Sequence, residues 1–594
     1  MKTLKLFNAV IAKPSKAEVF VSDEGYVIQS DAMWAKDNIV AFYAEQKLSG
    51  NDLNKTFHKS WEKVISSSRY ELLVEQIRHY LSTYGTDLKG EIYIPDEELE
   101  VPGLELKYTV IKSYCKTAMT KKCLGMLQSG IALTEETIND VLSVLVDELD
   151  YSFTGKEGIK NKEAIIKIAD MYGILPTDTM EFFRYILFRA TGESLLIKSP
   201  EMIAKIKDTN FNPAAQLKSF GLGKLAEIFN RFKPLFLAFK GQCPKVINKI
   251  SKLSKSNHKP LVTNPLNLVT QRKLTDADRH WLDNATPFAL FKALTACYNR
   301  MGRQTDFVYR IRNGKSWIAD KATSSVVIPV TNFGILYDYL KLRFDLTGTK
   351  VLLPRDVEYA IPTSEKMFVG NVPTGTKFYG ERLACGVYWR NDWGANDHDL
   401  SALDVQGGKI GWNSSYSDDV LAYSGDITNA PDGAVEYLYS SEGLSQAYLI
   451  MNNVYSGNPD AGYKIIVGRG DRINMKYMMN PNNLFMEVKC NSVQKQTVVG
   501  MLLPPKLGGV KQHAFVLLNF GAGHARVSGR NPQQAINALY QQWSNPLSFN
   551  ELLLDLGVQF VDEADEADVD LSLDKLEKDT FTKLFEAQPE LAVA

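Results

Sequence analysis

Acidic side chains lie close together in the stretch NDWGANDHDLSALD, which runs from Asn391 to Asp404. Asp397 and Asp399 are two residues apart, so their side chains point the same way if the chain is extended there. Parallel carboxylates a few ångströms apart repel each other unless a cation lies between them. A second acidic stretch, YSGDITNAPDGAVEY, adds oxygen-bearing side chains at Asp426, Asn429, Asp432 and Glu436. Together the two stretches indicate a site for a hard cation.

Calcium is the cation that suits these residues best. It accepts roughly six to eight oxygen ligands in flexible arrangements, and loops supply them through aspartate, asparagine and backbone carbonyls. The spacing is not that of an EF-hand loop. Metals with soft ligands are disfavoured, because His398 is the sole histidine of the cluster and no cysteine lies in it. From the residues alone, a solvated acidic loop and a catalytic carboxylate pair remain open beside the calcium site.

No catalytic or nucleotide-binding motif is complete in this sequence. The run Gly314 to Ser316 matches the end of a P-loop, but Tyr309 stands where the first glycine must be. The nucleophile elbow G-x-S-x-G and the zinc motif H-E-x-x-H do not occur, and the seven histidines are scattered. We therefore expect a protein that is not an enzyme.

The bulk composition excludes several classes of protein. The net charge is −1 over 594 residues, so any electrostatic function must lie in local patches. The six cysteines form no C-x-x-C pair, which disfavours a zinc ribbon or a disulfide framework and favours reduced thiols. No apolar run approaches the roughly 20 residues that a membrane span requires. We expect a cytoplasmic protein with no membrane span.

The pattern of apolar residues changes several times along the chain. Alternating residues near the N-terminus predict short strands. Helical spacing follows, as at Ile138, Val141, Leu142, Leu145 and Leu149. The sequence predicts a multidomain α+β protein with a mostly helical N-terminal half and a β-sandwich in the C-terminal half. The predicted parts are a small β-hairpin element (1–30), a helical array (31–300), a hairpin-containing connector (301–360), the β-sandwich (361–548) and an acidic tail (549–594).

Basic residues are concentrated between Asn212 and Pro260, where ten lysines or arginines accompany one acid, Glu227. Phenylalanines are interleaved with them, at Phe229, Phe232, Phe236 and Phe239. One interpretation is an amphipathic helix with an aromatic core stripe and solvated lysines. The other is a face that binds phosphates. A further hypothesis is that the acidic tail, with 13 acidic and 3 basic residues, docks on this segment.

The stretch FVYRIRNGKSWIAD predicts a β-hairpin, because Asn313-Gly314 is a favoured two-residue turn. That turn pairs Arg310 with Trp317 and places three cations around an indole ring. Such a face suits a nucleic-acid base and its phosphates, or else an Arg–Trp pair that stabilises only the hairpin. The candidate nucleic-acid-binding residues are Arg310, Arg312, Lys315 and Trp317.

Two separated elements of the acidic region resemble the tellurium-resistance TerD-like domain family. The first family element, D-x-D-L-S/D, matches Asp397 to Ser401 and is followed by a turn of the G-K-V type. The second, H-S-G-D-N-x-T-G, is similar to the stretch from Tyr423 to Asn429, with Tyr423 in place of the histidine. The resemblance covers residues 365 to 530. The order of the flanking regions is similar to a larger group of bacterial proteins with a helical region before a TerD-like domain.

The resemblance implies a β-sandwich that binds calcium through acidic loops and acts in bacterial stress or tellurite tolerance without catalysis. By position it makes Asp397, Asp399 and Asp426 the calcium ligands, with Asn429 and Glu436 as further candidates. We therefore expect a calcium-binding scaffold or adaptor whose helical array binds a protein partner. The alternatives are a nucleic-acid-binding protein that uses the basic region and a structural assembly protein.

Overall fold

The computed structural model describes residues 1–23, 25–56, 68, 70, 74, 77, 108–256, 263–302, 306–310, 316–320, 326–404, 406, 408–412, 414–470, 479–505, 512–521 and 532–585. The chain divides into two compact units. The first contains Met1, Thr3–Ser113 and Phe291–Ala594, and the second contains Lys2 and Tyr114–Leu290. Helices and sheets are both extensive, so the predicted mixed α+β class is confirmed. None of the helices in the described part of the chain has the length and hydropathy needed to cross a bilayer.

The α-helices of the described residues are numbered in chain order. They are α1 (Lys2–Phe7), α2 (Lys36–Ala44), α3 (Lys116–Gln128), α4 (Glu135–Ser143), α5 (Lys162–Tyr172), α6 (Thr179–Thr191), α7 (Pro200–Asp208), α8 (Ala214–Phe220), α9 (Leu222–Phe229), α10 (Lys233–Ala238), α11 (Pro244–Ser256), α12 (Arg279–Asn284), α13 (Pro287–Tyr298), α14 (Val327–Arg343), α15 (Pro532–Trp543), α16 (Phe549–Asp555) and α17 (Thr580–Lys583).

The strands are numbered in the same way. They are β1 (Ala9–Ile11), β2 (Phe20–Val21), β3 (Tyr26–Ile28), β4 (Thr109–Tyr114), β5 (Asp306–Arg310), β6 (Ser316–Asp320), β7 (Lys350–Leu352), β8 (Val357–Glu358), β9 (Phe368–Val369), β10 (Val372–Pro373), β11 (Lys377–Gly380), β12 (Leu383–Trp389), β13 (Ala395–Asp404), β14 (Lys409–Gly411), β15 (Leu421–Tyr423), β16 (Ala434–Ser440), β17 (Tyr448–Gly457), β18 (Gly462–Arg469), β19 (Leu484–Asn491), β20 (Gln496–Leu503), β21 (His513–Gly521), β22 (Gln559–Val561) and β23 (Val569–Asp570).

The second unit is helical, and local sequence signals set its helix ends. Asp178 accepts the N–H groups of Met180 and Glu181 at the start of α6. Gly173 ends α5 with φ of 69°, a conformation that glycine adopts readily. The predicted apolar stripe is buried at Ile138, Val141, Leu142, Leu145 and Leu149. After α4 the stripe continues through a π-helical turn, Val144–Glu148.

The phenylalanines of the basic segment lie in the core of this helical unit. Phe229, Phe232, Phe236 and Phe239 are each at most 5% exposed. The ring of Phe236 stacks on that of Phe183, with 3.9 Å between their centroids. The phenylalanines are therefore core residues and the cations Arg231 and Lys233 between them are exposed, but the segment forms two short helices, α9 and α10, rather than the single amphipathic helix that one interpretation of the sequence predicted.

Two antiparallel sheets dominate the first unit. Seven strands follow the order β14-β13-β17-β20-β21-β11-β8, and five follow the order β15-β16-β12-β18-β19. A short segment, residues 48–56, is fastened to the five-stranded sheet. In it, Lys55 O accepts the N–H of Val435 at 3.1 Å, and Leu53 O accepts the hydroxyl of Tyr437 at 2.8 Å. The larger sheet carries the acidic stretch on β13.

The N-terminal residues differ in part from the prediction of strands alone. A four-stranded sheet of order β1-β4-β3-β2 contains the expected hairpin, in which β2 pairs with β3. Residues Lys2–Phe7, however, form α1, which ends at Asn8 with φ of 44°. The alternation of Leu4 and Leu6 suggested a strand, but Thr3, Leu4, Leu6 and Phe7 are all buried, which a short helix packed into the core allows.

The predicted acidic tail is instead a folded part of the first unit as far as residue 585. Strands β22 and β23 pair in parallel with β7 on either side. Phe549, Leu571 and Phe581 are buried, and the ring centroids of Phe549 and Phe581 lie 5.6 Å apart. The acidic residues alternate with apolar ones, and these apolar residues hold the segment in place. A free tail docking on the basic segment does not fit this arrangement.

Candidate metal centre

Three carboxyl groups from two sheets meet in the first unit. Asp397 and Asp399 lie on β13 of the seven-stranded sheet, and Asp426 lies in the loop after β15 of the five-stranded sheet. One carboxylate oxygen of each residue lies within 4.8 Å of the others. The three residues are 4%, 2% and 3% exposed, respectively. We call these three residues the aspartate cluster.

The pairing of β13 with β17 sets the direction of these side chains. Asp399 pairs with Asn453, whose Nδ2 donates to Asp399 Oδ2 at 2.8 Å. The register shifts on both sides of Asp397, and such bulges change the direction of a side chain. His398 packs between Trp389 and Tyr463, with ring centroids 5.5 and 5.6 Å away. The histidine therefore packs away from the cluster, which keeps an all-oxygen donor set.

Asp397 has an unsatisfied oxygen inside the protein. Its Oδ1 is buried, and no hydrogen-bond partner for it lies among the described residues. A buried polar atom without a partner is costly, by roughly 1–3 kcal/mol. A bound cation or a proton on the carboxyl group relieves this cost.

Burial and mutual repulsion make the cluster hold protons tightly. Burial, with the charge of Asp426, raises the pKa of Asp397 to about 7. Burial, with the charges of Asp397 and Asp426, raises the pKa of Asp399 to about 8, against the opposing effects of Asn453 and Lys409. Near neutral pH the site therefore exchanges protons, and a divalent cation competes with them for the same oxygens.

Glu436 stands beside the cluster but has a different set of partners. Its Oε2 accepts the N–H of Leu400 at 2.8 Å and the hydroxyl of Tyr423 at 2.6 Å. Its Oε1 accepts the N–H of Ile427 at 2.9 Å. Burial raises the pKa of Glu436, as do the charges of Asp426 and Asp399. This carboxyl group joins β16 to β13 and to the loop that carries Asp426.

Lys409 is the functional residue that the sequence did not suggest. It pairs with Leu403 in the β13–β14 hairpin, its Nζ donates to Trp412 O at 2.6 Å, and it lies 4.1 Å from the centre of the Trp412 ring. Burial lowers its pKa to about 8, while the charges of Asp399 and Asp426 act in the opposite direction. The signal available in the sequence was the short interval between Asp404 and Lys409. A hairpin turn there returns Lys409 beside β13.

The predicted ligand Asn429 and two other acidic residues of the first stretch, Asp392 and Asp404, lie outside the aspartate cluster. Asn429 is exposed, and its Oδ1 accepts Asn391 Nδ2 at 2.7 Å. Asp392 forms an exposed ion pair with Arg390 at 3.0 Å. Asp404 accepts the N–H groups of the turn that follows β13. Of the predicted metal ligands, the structure thus brings together the three aspartates, with Glu436 adjacent.

The predicted nucleic-acid hairpin has a different register. Strands β5 and β6 pair Arg310 with Ser316 and Tyr309 with Trp317. The predicted pairing of Arg310 with Trp317 is therefore wrong, and the predicted turn at Asn313-Gly314 lies outside the described residues. Arg310 and Trp317 are not opposite each other and lie on different faces of the ribbon. Arg312 and Lys315 lie outside the described residues.

Comparison with known proteins gave no relatives. No family model matches the sequence, and no curated protein or solved structure matches it significantly. The resemblance to the TerD-like family therefore stays a prediction. The chemistry of the donor set is the evidence that remains: buried carboxylates with one unpartnered oxygen suit a hard cation.

Proposed function

We propose that the two large sheets form a calcium-binding β-sandwich of the TerD-like type, and that Asp397, Asp399 and Asp426 hold the ion. The observation that carries this proposal is the burial of three carboxyl groups whose oxygens lie within 4.8 Å of one another. Such a group of like charges is unstable without a cation or bound protons. Backbone carbonyls and water complete the coordination in this proposal.

Calcium fits better than the other common divalent ions. Magnesium requires near-ideal octahedral geometry and retains several waters, whereas calcium tolerates irregular sets of carboxylates. Zinc and copper favour nitrogen or sulfur ligands, and His398 is held elsewhere by Asn452, with 3.2 Å between Nδ1 and Oδ1. Glu436 keeps the Asp426 loop in position rather than acting as a ligand.

We assign the protein a non-enzymatic role as a calcium-responsive scaffold or adaptor in a stress-response pathway of the tellurite-resistance type. The support is the two-element sequence resemblance together with a site made of carboxylates alone. Bound calcium joins a strand of one sheet to a loop of the other. Because calcium binds the folded state and not the unfolded state, its binding stabilises the folded unit. The surface that this unit offers to a partner is stabilised with it.

The direct test is a calorimetric titration of calcium into the full-length protein. Wild type should bind calcium saturably, and Asp397→Asn combined with Asp399→Asn should abolish the binding. Asp392→Asn is the matched control, because this residue lies in the same acidic stretch but is exposed and paired with Arg390. Magnesium at the same concentration should compete weakly.

Absence of calcium binding by the wild type would contradict the proposed site. Equal loss in the Asp392→Asn control would also contradict it, since the effect would then follow net charge rather than the aspartate cluster. The biological role has its own test. Cells that express the wild type should tolerate tellurite better than cells that express the double asparagine variant at the same protein level.

A further inference from the structure

The surface charges of the helical unit are distributed unevenly. Outside residues 213–256, cations such as Lys162, Lys167, Arg189, Lys205 and Arg272 each form an ion pair with a carboxylate. Between 213 and 256 there are nine exposed cations: Lys218, Lys224, Arg231, Lys233, Lys240, Lys245, Lys249, Lys252 and Lys255. The described residues offer none of these nine a carboxylate within ion-pair distance. The sequence therefore concentrates unneutralised positive charge in this segment.

Helix α11 arranges part of that charge on one face. Lys245, Lys249 and Lys252 follow the i, i+4, i+7 spacing of a single helical stripe, and Lys255 lies one turn further on. We call these four residues the lysine face. The opposite side, with Val246, Ile247 and Ile250, is buried in the core. Since like charges three or four residues apart destabilise a helix slightly, fold stability does not explain the arrangement.

We propose that the lysine face of α11 binds the phosphate backbone of double-stranded nucleic acid. Each lysine contributes a mobile point charge suited to a phosphate, and Asn248 on the same exposed side adds a hydrogen-bonding group. A helical turn separates successive lysines by roughly 5 Å, a spacing that can follow a row of phosphates. The contacts read no sequence, because none of these groups is placed for bidentate recognition of a base.

Other anionic partners fit this surface less well. A helix that lies on a membrane inserts apolar side chains, but Val246, Ile247 and Ile250 of α11 are buried and Leu253 packs against the same core. Leu237 is the one exposed large apolar residue described within 209–256. Single-stranded nucleic acid is held by stacking on exposed aromatic rings, and the phenylalanines here are in the core. Protein interfaces rely on aromatic and arginine anchors, which the lysine face lacks.

The test is fluorescence anisotropy of a labelled 30-base-pair DNA duplex with the full-length protein. The variant Lys245→Gln, Lys249→Gln, Lys252→Gln should bind at least ~10-fold more weakly at low salt, and the slope of log affinity against log salt should fall by about 2–3. The matched control changes Lys121, Lys156 and Lys160 to glutamine, which are exposed lysines of the same unit. Lysine and glutamine have similar helix propensity, so both variants should fold.

Several outcomes would overturn the proposal. These are no duplex binding by the wild type, an unchanged affinity of the lysine-face variant, or an equal loss in the control variant. Binding to phosphatidylserine–phosphatidylcholine vesicles without binding to the duplex would make the partner a membrane. Displacement of the duplex by polyglutamate at equal charge concentration would make it an acidic protein. The inference does not depend on calcium, so its failure and that of the metal site are distinguishable.

Discussion

The aspartate cluster and the lysine face are two concentrations of like charge in the described part of the chain, and they are built in opposite ways. The three aspartates are at most 4% exposed. The four lysines are exposed on a helix whose other side forms the core. Burial makes repulsion between the aspartates strong, because water no longer screens it, whereas the lysines repel each other weakly. A buried group of like charges thus changes folding stability, and an exposed one chiefly changes association.

Removing Glu436 should give the largest effect on stability. Glu436→Ala leaves the N–H groups of Leu400 and Ile427 and the hydroxyl of Tyr423 without their acceptor. The expected loss is about 4 kcal/mol or more in the free energy of unfolding. Urea denaturation measures it, with the exposed Glu442→Ala as control. A loss below about 1 kcal/mol would show that this carboxyl group does not hold the loop.

The two buried aspartates should lower the stability of the calcium-free protein as the pH rises from about 4 to about 8, against the opposite effect of His398, whose pKa burial lowers to about 4. The pKa values of Asp397 and Asp399 are raised by burial to about 7 and about 8, so the folded state binds protons more tightly than the unfolded state over this range. Their stabilising effect is complete below the unfolded pKa and is lost as the pH passes the folded values. At about 1.4 kcal/mol per pKa unit these shifts correspond to several kcal/mol, so we expect a fall of at least about 2–3 kcal/mol.

Thermal unfolding in chelator across this pH range measures the fall. The variant Asp397→Asn, Asp399→Asn should have a flatter profile, because it lacks both titrating groups. Added calcium should flatten the wild-type profile by replacing the protons. A wild-type profile that falls no more steeply with pH than that of the variant in chelator would contradict the description of the buried cluster.

Replacing Lys409 should strengthen calcium binding. The charge of Lys409 acts on Asp399 and Asp426, so it opposes a cation at the same carboxylates. Lys409→Met keeps the length of the side chain and removes the charge, and the affinity should rise by up to about tenfold. Calorimetry measures the change, with Lys495→Met as a control on a neighbouring exposed lysine. Weaker binding in Lys409→Met would indicate that Lys409 supports the site.

The smallest effect should come from the lysine face. The triple glutamine variant at Lys245, Lys249 and Lys252 should change the free energy of unfolding by less than about 0.5 kcal/mol, since the side chains are exposed and unpaired. Urea denaturation checks this. A large destabilisation would mean that the lysines pack against the fold, and the contrast with the buried aspartates would fail.

Local patterns in the sequence predicted the elements whose signals are local. The helical stripe from Ile138 to Leu149 is an example, and so is the hairpin of β2 and β3. Where packing between distant segments decides, the sequence misled. Helix α1 has the alternation of a strand, and the acidic C-terminal residues are folded because β22 and β23 pair with β7, more than 200 residues earlier.

In the candidate site too, local geometry predicted some residues, and packing between distant segments decided the others. The common direction of Asp397 and Asp399 follows from strand geometry, so the sequence was sufficient to pair them. Asp426 was named from the second acidic stretch and again by the resemblance, but no spacing rule placed it beside the other two aspartates. Lys409 was missed, because its position depends on how the β13–β14 hairpin closes. Asn429 was included for its amide oxygen, but that oxygen accepts a hydrogen bond from Asn391.

The contact between Leu6 and Lys578 has a consequence for synthesis of the protein. The N–H of Lys578 donates to Leu6 O at 3.0 Å, so Leu6 contacts a residue that is made 572 residues later in the chain (578 minus 6). A ribosome adding roughly 5–20 residues per second needs roughly half a minute to two minutes to travel between them. Through that interval the carbonyl of Leu6, at the end of α1, lacks this partner, so the N-terminal residues reach their final packing only after the C-terminal ones are made.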